Sequence, residues 1–235
     1  MVMRLLGQLL DRTIDRHLAV CLLCASGNDI RAGICPSCQW NLPAIGHACS
    51  SCALPLQHVS DHQCPRCLQK PPPQAISRAC WYYAYPVAQL IQRFKYRRDL
   101  TAGRTLAELA ATRLNPGKDK PDLLVPVPLH WRKQLSRGYN QAGLIAERLG
   151  HQWRIPVNTR VLRKVALTGS QQELRRRERL NNLSGSFAAH GRVAGLHIGL
   201  VDDVITTGAT LEVAAQALLE AGAEKVSTFA LARVP

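Results

Sequence analysis

The clearest element of the chain is an apolar strand that contains two adjacent acids. Apolar residues at 200–201 and 204–205 flank Asp202 and Asp203, and a helix-forming segment follows at 211–219. An apolar run bounded by a small polar turn predicts a buried strand of a parallel sheet. Because a buried strand disfavours charged side chains, we expect both acids to lie at its carboxyl end.

The chain beyond residue 75 alternates between strands and helices. The predicted segments are a strand at 79–85, helices at 87–96 and 101–114, a strand from Asp122 to about Pro126, a helix through Leu144, Ile145 and Leu149, the acid-bearing strand with its helix, and a strand at 228–232. Proline cannot donate to a sheet ladder, so the second strand should end near Pro126. This order predicts an α/β fold: a parallel sheet flanked by helices, with ligand loops at its carboxyl edge.

The N-terminal third follows a different pattern. Apolar residues at helical spacing in residues 1–20 predict an amphipathic helix that packs on the domain, with a partner-binding or membrane-surface role as the alternative. A stiff, proline-rich linker runs from Lys70 to Gln74. We therefore divide the chain into an N-terminal helix (1–20), a cysteine-rich segment (21–74) and an α/β domain (75–235).

Eight cysteines of the N-terminal segment form Cys-x-x-Cys pairs. The pairs are Cys21/Cys24, Cys35/Cys38, Cys49/Cys52 and Cys64/Cys67. Four such pairs in series, without a preceding βαβ pattern, favour structural zinc over redox chemistry. The simplest assignment is sequential, with the first two pairs on one ion and the last two on another, although spacing alone also allows interleaving. We expect about two Zn²⁺ ions in closed four-cysteine sites.

Composition and charge indicate which partners and which cellular location to expect for the protein. The chain has 235 residues, 46% of them hydrophobic, and a formal net charge of +14. This charge implies anionic partners: phosphates, nucleic acid or an acidic surface. No apolar span is long enough to cross a membrane, and charges interrupt residues 1–20 where a signal-peptide core would lie. We expect a cytoplasmic protein that is not integral to a membrane.

The turn after the acids has the composition of an anion site. It consists of Thr206, Thr207, Gly208, Ala209 and Thr210. Backbone N–H groups and hydroxyls at the start of a helix can surround a phosphate, while the two acids can accept hydroxyl hydrogens. An ordinary strand end with a capped helix start explains the acid pair alone, but the full order of strand, loop and helix favours a sugar phosphate as ligand.

A second anion site is predicted after the strand that ends near Pro126. This loop is rich in cations, which suits a pyrophosphate; its candidate residues are Pro128, Leu129, His130, Arg132 and Lys133. Further candidates for a closing loop or for anion contacts are Lys95, Arg137, Asn140, Gln141, Gln171, Arg176 and Arg179. The basic run at 162–187 also fits a surface that contacts RNA or DNA, or a solvated helix.

The segment from Val201 to Thr210 resembles the motif by which type I phosphoribosyltransferases bind 5-phosphoribosyl 1-pyrophosphate (PRPP). With the cysteine pairs, residues 94–97, 125–130 and 137–141, the chain as a whole is similar to the ComF/GntX family. The resemblance implies a double zinc ribbon joined to a type I phosphoribosyltransferase domain, and PRPP bound with Mg²⁺. It also implies a role in natural competence or in the use of DNA as a nutrient, with a DNA translocase or competence proteins as partners.

Two hypotheses from different classes follow. The first is a phosphoribosyltransferase whose acceptor the sequence does not name. The second is a non-catalytic protein that binds single-stranded DNA, with PRPP as a ligand or regulator. Trp131, Tyr139 and Trp153 could stack on bases in the second case, although each suits core packing better.

Overall fold

A computed structural model of the chain describes residues 20–58, 62–129, 138–165 and 186–235. Its helices are α1 (Pro36–Trp40), α2 (Pro65–Gln69), α3 (Val87–Tyr96), α4 (Leu100–Arg113), α5 (Gln141–Trp153) and α6 (Ala209–Glu220). Its strands are β1 (Ile76–Tyr82), β2 (Leu123–Pro126), β3 (Leu162–Lys164), β4 (Phe187–Ala189), β5 (His197–Ile205) and β6 (Lys225–Arg233). The amphipathic helix predicted over residues 1–20 lies outside the described residues, except for Val20.

Four strands form a parallel sheet in the order β1-β6-β5-β2. Strand β6 is buried along almost its whole length, as expected for an inner strand covered on both faces. Strands β3 and β4 pair separately as an antiparallel ribbon. The parallel sheet with flanking helices confirms the fold class predicted from the alternating pattern.

Helices cover both faces of the sheet. On one face, α3 and α4 bury Phe94 and Leu106 in the same cluster as Phe229 of β6. On the other face, α6 buries Leu218 in a cluster with Ile198 of β5. The carboxyl ends of β2, β5 and β6 therefore meet along one edge, where parallel α/β proteins bind their ligands.

The end of α3 is held against this edge by a close contact with α4. A Cβ atom at Gly103 would lie 2.4 Å from Phe94 Cε2, so glycine lets the two helices approach. The Asp99 carboxylate caps α4 and accepts a hydrogen bond from Arg93 Nε at 2.9 Å. These contacts fix the position of Lys95 near the carboxyl end of β5.

The bounds of several strands differ from the sequence prediction. Strand β1 ends at Tyr82 rather than at residue 85, and β6 runs from Lys225 to Arg233 rather than over 228–232. Strand β1 begins at Ile76 rather than at residue 79, because its pairing with β6 starts opposite Ser227. Strand β5 continues through both acids to Ile205, which still pairs with Arg233. Helix α3 and the end of β2 at Pro126 agree with the prediction.

Candidate functional site

The two acids of β5 lie beside the end of α3. Lys95 Nζ is 2.7 Å from Asp203 Oδ1, and the two side chains are only 18% and 12% exposed. The Asp202 carboxylate accepts a hydrogen bond from the backbone N–H of Asp203 at 2.8 Å. A cation such as Lys95 stabilises a nearly buried carboxylate such as that of Asp203. The fold therefore brings the predicted anion contact Lys95 to the predicted ribose-binding acids.

The surroundings of Asp202 raise its pKa above the usual range of a carboxyl group. Burial and the Asp203 carboxylate raise the pKa of Asp202 to about 7, although the Asp203 amide and the Lys95 ammonium act in the opposite direction. Its ionised form accepts hydrogen bonds only, whereas its neutral form can also donate one. Acids that titrate near neutral pH are common at binding and catalytic sites.

The turn after β5 leads directly into α6, and we call residues 206–210 the threonine loop. Gly208 caps α6 with a φ of 87°, which glycine adopts without strain. Thr207 Oγ1 accepts a hydrogen bond from the Ala209 N–H at 3.3 Å. No hydrogen bond between described residues uses the backbone N–H of Thr207 or Gly208. These amides at the start of a helix can bind an anion.

Two arginines contact the carbonyl groups of this turn. Arg66 of α2 donates from Nη1 to Thr207 O at 2.9 Å and from Nη2 to Glu212 Oε1 at 2.6 Å. Arg233, which is 5% exposed, donates to the carbonyl oxygen of Thr206 and from Nε to Cys52 O at 3.2 Å. We call the parts of the chain that carry the first two and the last two cysteine pairs the first unit and the second unit. The second unit, which contains Cys52 and Arg66, therefore lies against the threonine loop.

The start of α5 joins the ends of β2 and α3. Asn140 caps α5 with its side chain and donates from Nδ2 to Val127 O at 3.0 Å. The Tyr139 ring stacks on Phe94 with centroids 5.4 Å apart, and its hydroxyl donates to Phe94 O. Gln141 is buried in the first turn of α5. Asn140 and Gln141 thus lie on elements that converge at the carboxyl edge.

Part of the predicted anion site falls in segments that are not described. Pro128 and Leu129 follow β2 and are half-buried. The remaining candidates lie outside the described residues; these are His130, Arg132, Lys133, Arg137, Gln171, Arg176 and Arg179. Trp131 lies outside them as well, while Trp153 is buried and donates from Nε1 to Ala111 O at 2.7 Å.

The eight paired cysteines form two groups that follow the sequential pairing. The groups are Cys21, Cys24, Cys35 and Cys38, and Cys49, Cys52, Cys64 and Cys67. Within each group the sulfur atoms lie within 4.8 Å of one another, and the Sγ atoms of Cys24 and Cys35, like those of Cys52 and Cys64, are 3.7 Å apart. Tetrahedral Zn²⁺ with Zn–S bonds of about 2.3 Å requires S–S distances of about 3.8 Å. Both groups therefore have the donors and spacing for Zn²⁺.

The thiols of the second group are poorly suited to ionise together without a cation. Burial opposes ionisation of Cys49, yet hydrogen bonds from the backbone of Cys64 and Cys52 lower its pKa to about 7. Burial and the neighbouring Cys49 raise the pKa of Cys52 to about 11. A divalent cation would relieve this repulsion and release protons on binding. Cys80, outside both groups, is buried in the core.

Comparisons with known proteins agree with this arrangement. Residues 98–235 match the sequence model of the family described as "Phosphoribosyl transferase domain". The DNA utilization protein YhgH of Salmonella typhi is 35% identical over 222 residues, which cover 92% of this chain and 91% of that protein. Competence protein F of Haemophilus influenzae is 32% identical over 222 residues, covering 91% and 96%. The chain belongs to the ComF family.

Another relative of this ComF-family chain is Competence protein ComFC of Bacillus subtilis. It is 30% identical over 239 residues, which cover 92% of the chain and 96% of the relative. Among the described residues of the ComF-family chain, no helix is long and apolar enough to cross a membrane.

Three contact residues of this ComF-family site were missed at the level of sequence. Arg66 stands between two cysteines, where the first unit has Ser37. Arg233 is a lone cation that directly follows the apolar strand predicted at 228–232. At both positions a cation departs from the local pattern of the sequence, and that departure could have indicated a contact residue. Glu212 gave none, because an acid in the first turn of a helix is ordinary.

Proposed function

We propose that this ComF-family protein binds PRPP at the carboxyl edge of its sheet. In this proposal, Asp202 and Asp203 meet the ribose hydroxyls, and the threonine loop holds the 5-phosphate. One observation carries the proposal: the acid pair, which Lys95 contacts, is followed directly by the start of α6. At this helix start the N–H groups of Thr207 and Gly208 donate to no described residue. Residues 75–235 would form the PRPP-binding domain, with zinc ribbons in residues 21–74.

We propose that the pyrophosphate of PRPP lies next to the end of β2. Pro126 pairs with Val201, so the loop that begins at Pro128 leaves the sheet beside the acids. His130, Arg132 and Lys133 in that loop would contribute cationic or hydrogen-bonding groups. Carboxylate and phosphate oxygens are the ligands that Mg²⁺ prefers, so the ion would enter together with PRPP.

Loss of both acids should abolish PRPP binding. In calorimetric titrations with Mg²⁺, we expect Asp202→Ala/Asp203→Ala to weaken the affinity about 100-fold or more, because the ribose loses its hydroxyl partners.

The affinity of the wild-type protein for PRPP should also rise between about pH 6 and pH 8, because Asp202 loses its proton and becomes a full acceptor.

The matched control for this test is Asp119→Asn. Asp119 pairs with Lys225 at 2.6 Å near the amino end of β6, so this variant removes a carboxylate from the opposite edge of the sheet. Its PRPP affinity should equal that of wild type. Equal binding by wild type and the double variant would exclude the assignment of the acids.

We propose phosphoribosyl transfer as the reaction at this site. A nucleophile would attack C1 of the ribose, the C1–O bond would break, and pyrophosphate would leave with the bonding electrons while the nucleophile loses its proton to solvent. Mg²⁺ supplies charge stabilisation for the departing pyrophosphate. A screen of nucleobases and amines for pyrophosphate release tests the step. PRPP binding without release for any acceptor would favour a ligand or regulatory role.

We propose that the protein acts in the uptake or use of DNA within the cytoplasm. The names of the YhgH and competence relatives support this setting, as does the net charge of +14. Two groups of four thiols fit Zn²⁺ and a reducing compartment. Competence proteins, including a DNA translocase, are the proposed partners.

Exposed aromatic residues favour direct binding of single-stranded DNA as a second function. Trp40, Tyr85 and Tyr96 are 89%, 74% and 70% exposed, and Arg97 and Arg98 follow directly after Tyr96. Aromatic faces stack on bases, and neighbouring cations contact phosphates. As candidates for stacking on bases, these residues take the place of Tyr139 and Trp153, which pack against the core.

Trp40→Ala should weaken binding of a fluorescent oligonucleotide about tenfold, because stacking of one base on an aromatic ring is worth about 1–3 kcal/mol. Trp40→Phe should retain most of the affinity. Leu68→Ala, which removes an apolar side chain that is 65% exposed, serves as the control. An affinity that is unchanged in Trp40→Ala would exclude Trp40 as a stacking residue.

A further inference from the structure

One knuckle of the second cysteine group, the turn from Cys64 to Cys67, contacts the threonine loop through Arg66. Cys64 and Cys67 are each 2% exposed and bracket Pro65 and Arg66 at the start of α2. The Arg66 side chain extends from this knuckle and is 56% exposed. The position of its backbone is therefore set by the two thiols on either side.

Arg66 bridges two parts of the turn into α6. One guanidinium nitrogen contacts Thr207 O, and the other contacts the Glu212 carboxylate. Glu212 Oε1 lies 3.6 Å from the point where a Cβ of Gly208 would be. The planar fork of arginine suits two acceptors held at a fixed separation, and a lysine cannot reproduce it.

The held carbonyls determine where the amides of the loop point. In a trans peptide unit, the C=O and the N–H of the next residue lie in one plane and point in opposite directions. Arg66 holds Thr207 O and therefore directs the Gly208 N–H away from α2. Arg233 holds Thr206 O and directs the Thr207 N–H in the same manner. These are the two amides that no hydrogen bond between described residues uses.

We infer that Arg66 is a positioning residue for the threonine loop: the second zinc unit holds the loop in an anion-binding conformation through this side chain. The inference rests on the proposed PRPP site and adds a specific task for the unit. The inference gives the two cysteine groups different roles, because the corresponding position of the first unit is Ser37, which has no guanidinium group.

The test compares Arg66→Ala with Arg66→Lys and with the control Arg31→Ala. Arg31 is a cation of the first unit that pairs with Asp29 in an exposed contact. We expect Arg66→Ala to weaken Mg²⁺–PRPP binding about tenfold or more, at unchanged zinc content and melting temperature. Arg66→Lys keeps the charge and should recover only part of the affinity, about threefold below wild type. Arg31→Ala should bind as wild type does.

A second measurement is independent of PRPP. The backbone NMR resonances of Thr207 and Gly208 in the ligand-free protein should shift in Arg66→Ala and stay unchanged in Arg31→Ala. Unchanged resonances, or full affinity in Arg66→Lys, would overturn the positioning role. If wild type binds no PRPP, the proposed function fails while the resonances still decide whether Arg66 holds the loop. If Arg66→Ala loses zinc, Glu212→Gln removes one acceptor without touching the knuckle and should show the same shifts on a smaller scale.

Discussion

Cys64→Ser is expected to remove one of two zinc ions and to lower the free energy of unfolding by more than about 3 kcal/mol. All four thiols of its group are buried, and the hydrophobic residues that pack against them in the described part of the chain are the partly buried Leu54 and Leu56. An apolar cluster of this size contributes little to stability, and we therefore expect a bound metal ion to supply much of the stability of the unit. Zinc content and urea unfolding measure the two effects.

Cys35→Ser is the matched control, because Cys35 occupies the same place in the first unit. This variant should also lose one zinc ion but should be destabilised less. Ile34 and Leu42 of the first unit belong to the main core together with Trp81, so much of their burial does not depend on metal. Limited proteolysis should then cleave the second unit in Cys64→Ser more readily than the first unit in Cys35→Ser. An equal loss of stability in both variants would contradict this account.

Lys95→Met is expected to cost about 3 kcal/mol of stability at pH 8. The substitution keeps most of the side-chain volume but leaves the Asp203 carboxylate nearly buried without its ammonium partner, 2.7 Å away in the wild type. Loss of the positive charge should also raise the pKa of Asp202 further, since Lys95 lowers it. Urea unfolding measures the first effect, and carboxyl titration by NMR measures the second.

The double variant Lys95→Met/Asp203→Asn should recover much of the lost stability, because it removes the charge that the single variant leaves unpaired. Arg148→Met is the control for an exposed pair: Arg148 and Glu108 are 44% and 33% exposed, and their loss should cost less than about 1 kcal/mol. A Lys95→Met protein as stable as Arg148→Met would show that the Asp203 carboxylate is solvated well enough without its partner.

The local pattern predicted the elements well where a single rule dominated. Apolar residues at helical spacing located α3, and the missing proline N–H located the end of β2. The start of β1 was missed because strand length depends on the partner, and the pairing of β1 with β6 begins at Ile76, opposite Ser227. The sequential grouping of cysteines agreed with the simplest interpretation, although spacing also allowed interleaving.

The candidate site was predictable only in part. The acid pair and the threonine loop are contiguous, so their joint chemistry is visible along the chain. Asn140, a predicted candidate for an anion contact, caps α5. Arg66 and Arg233 contact the loop from α2 and β6, and the spacing of apolar residues along the chain does not predict such contacts.

The sequence by itself determined the alternation of strands and helices, the four thiol pairs and the succession of acids, small polar turn and helix. These features follow from local rules of burial, backbone freedom and ligand chemistry. Only the tertiary structure decided that Lys95 pairs with Asp203 and that Arg66 and Arg233 hold the carbonyls behind the threonine loop. Such contacts depend on the order in which strands join the sheet, which places residues distant in the chain at one edge.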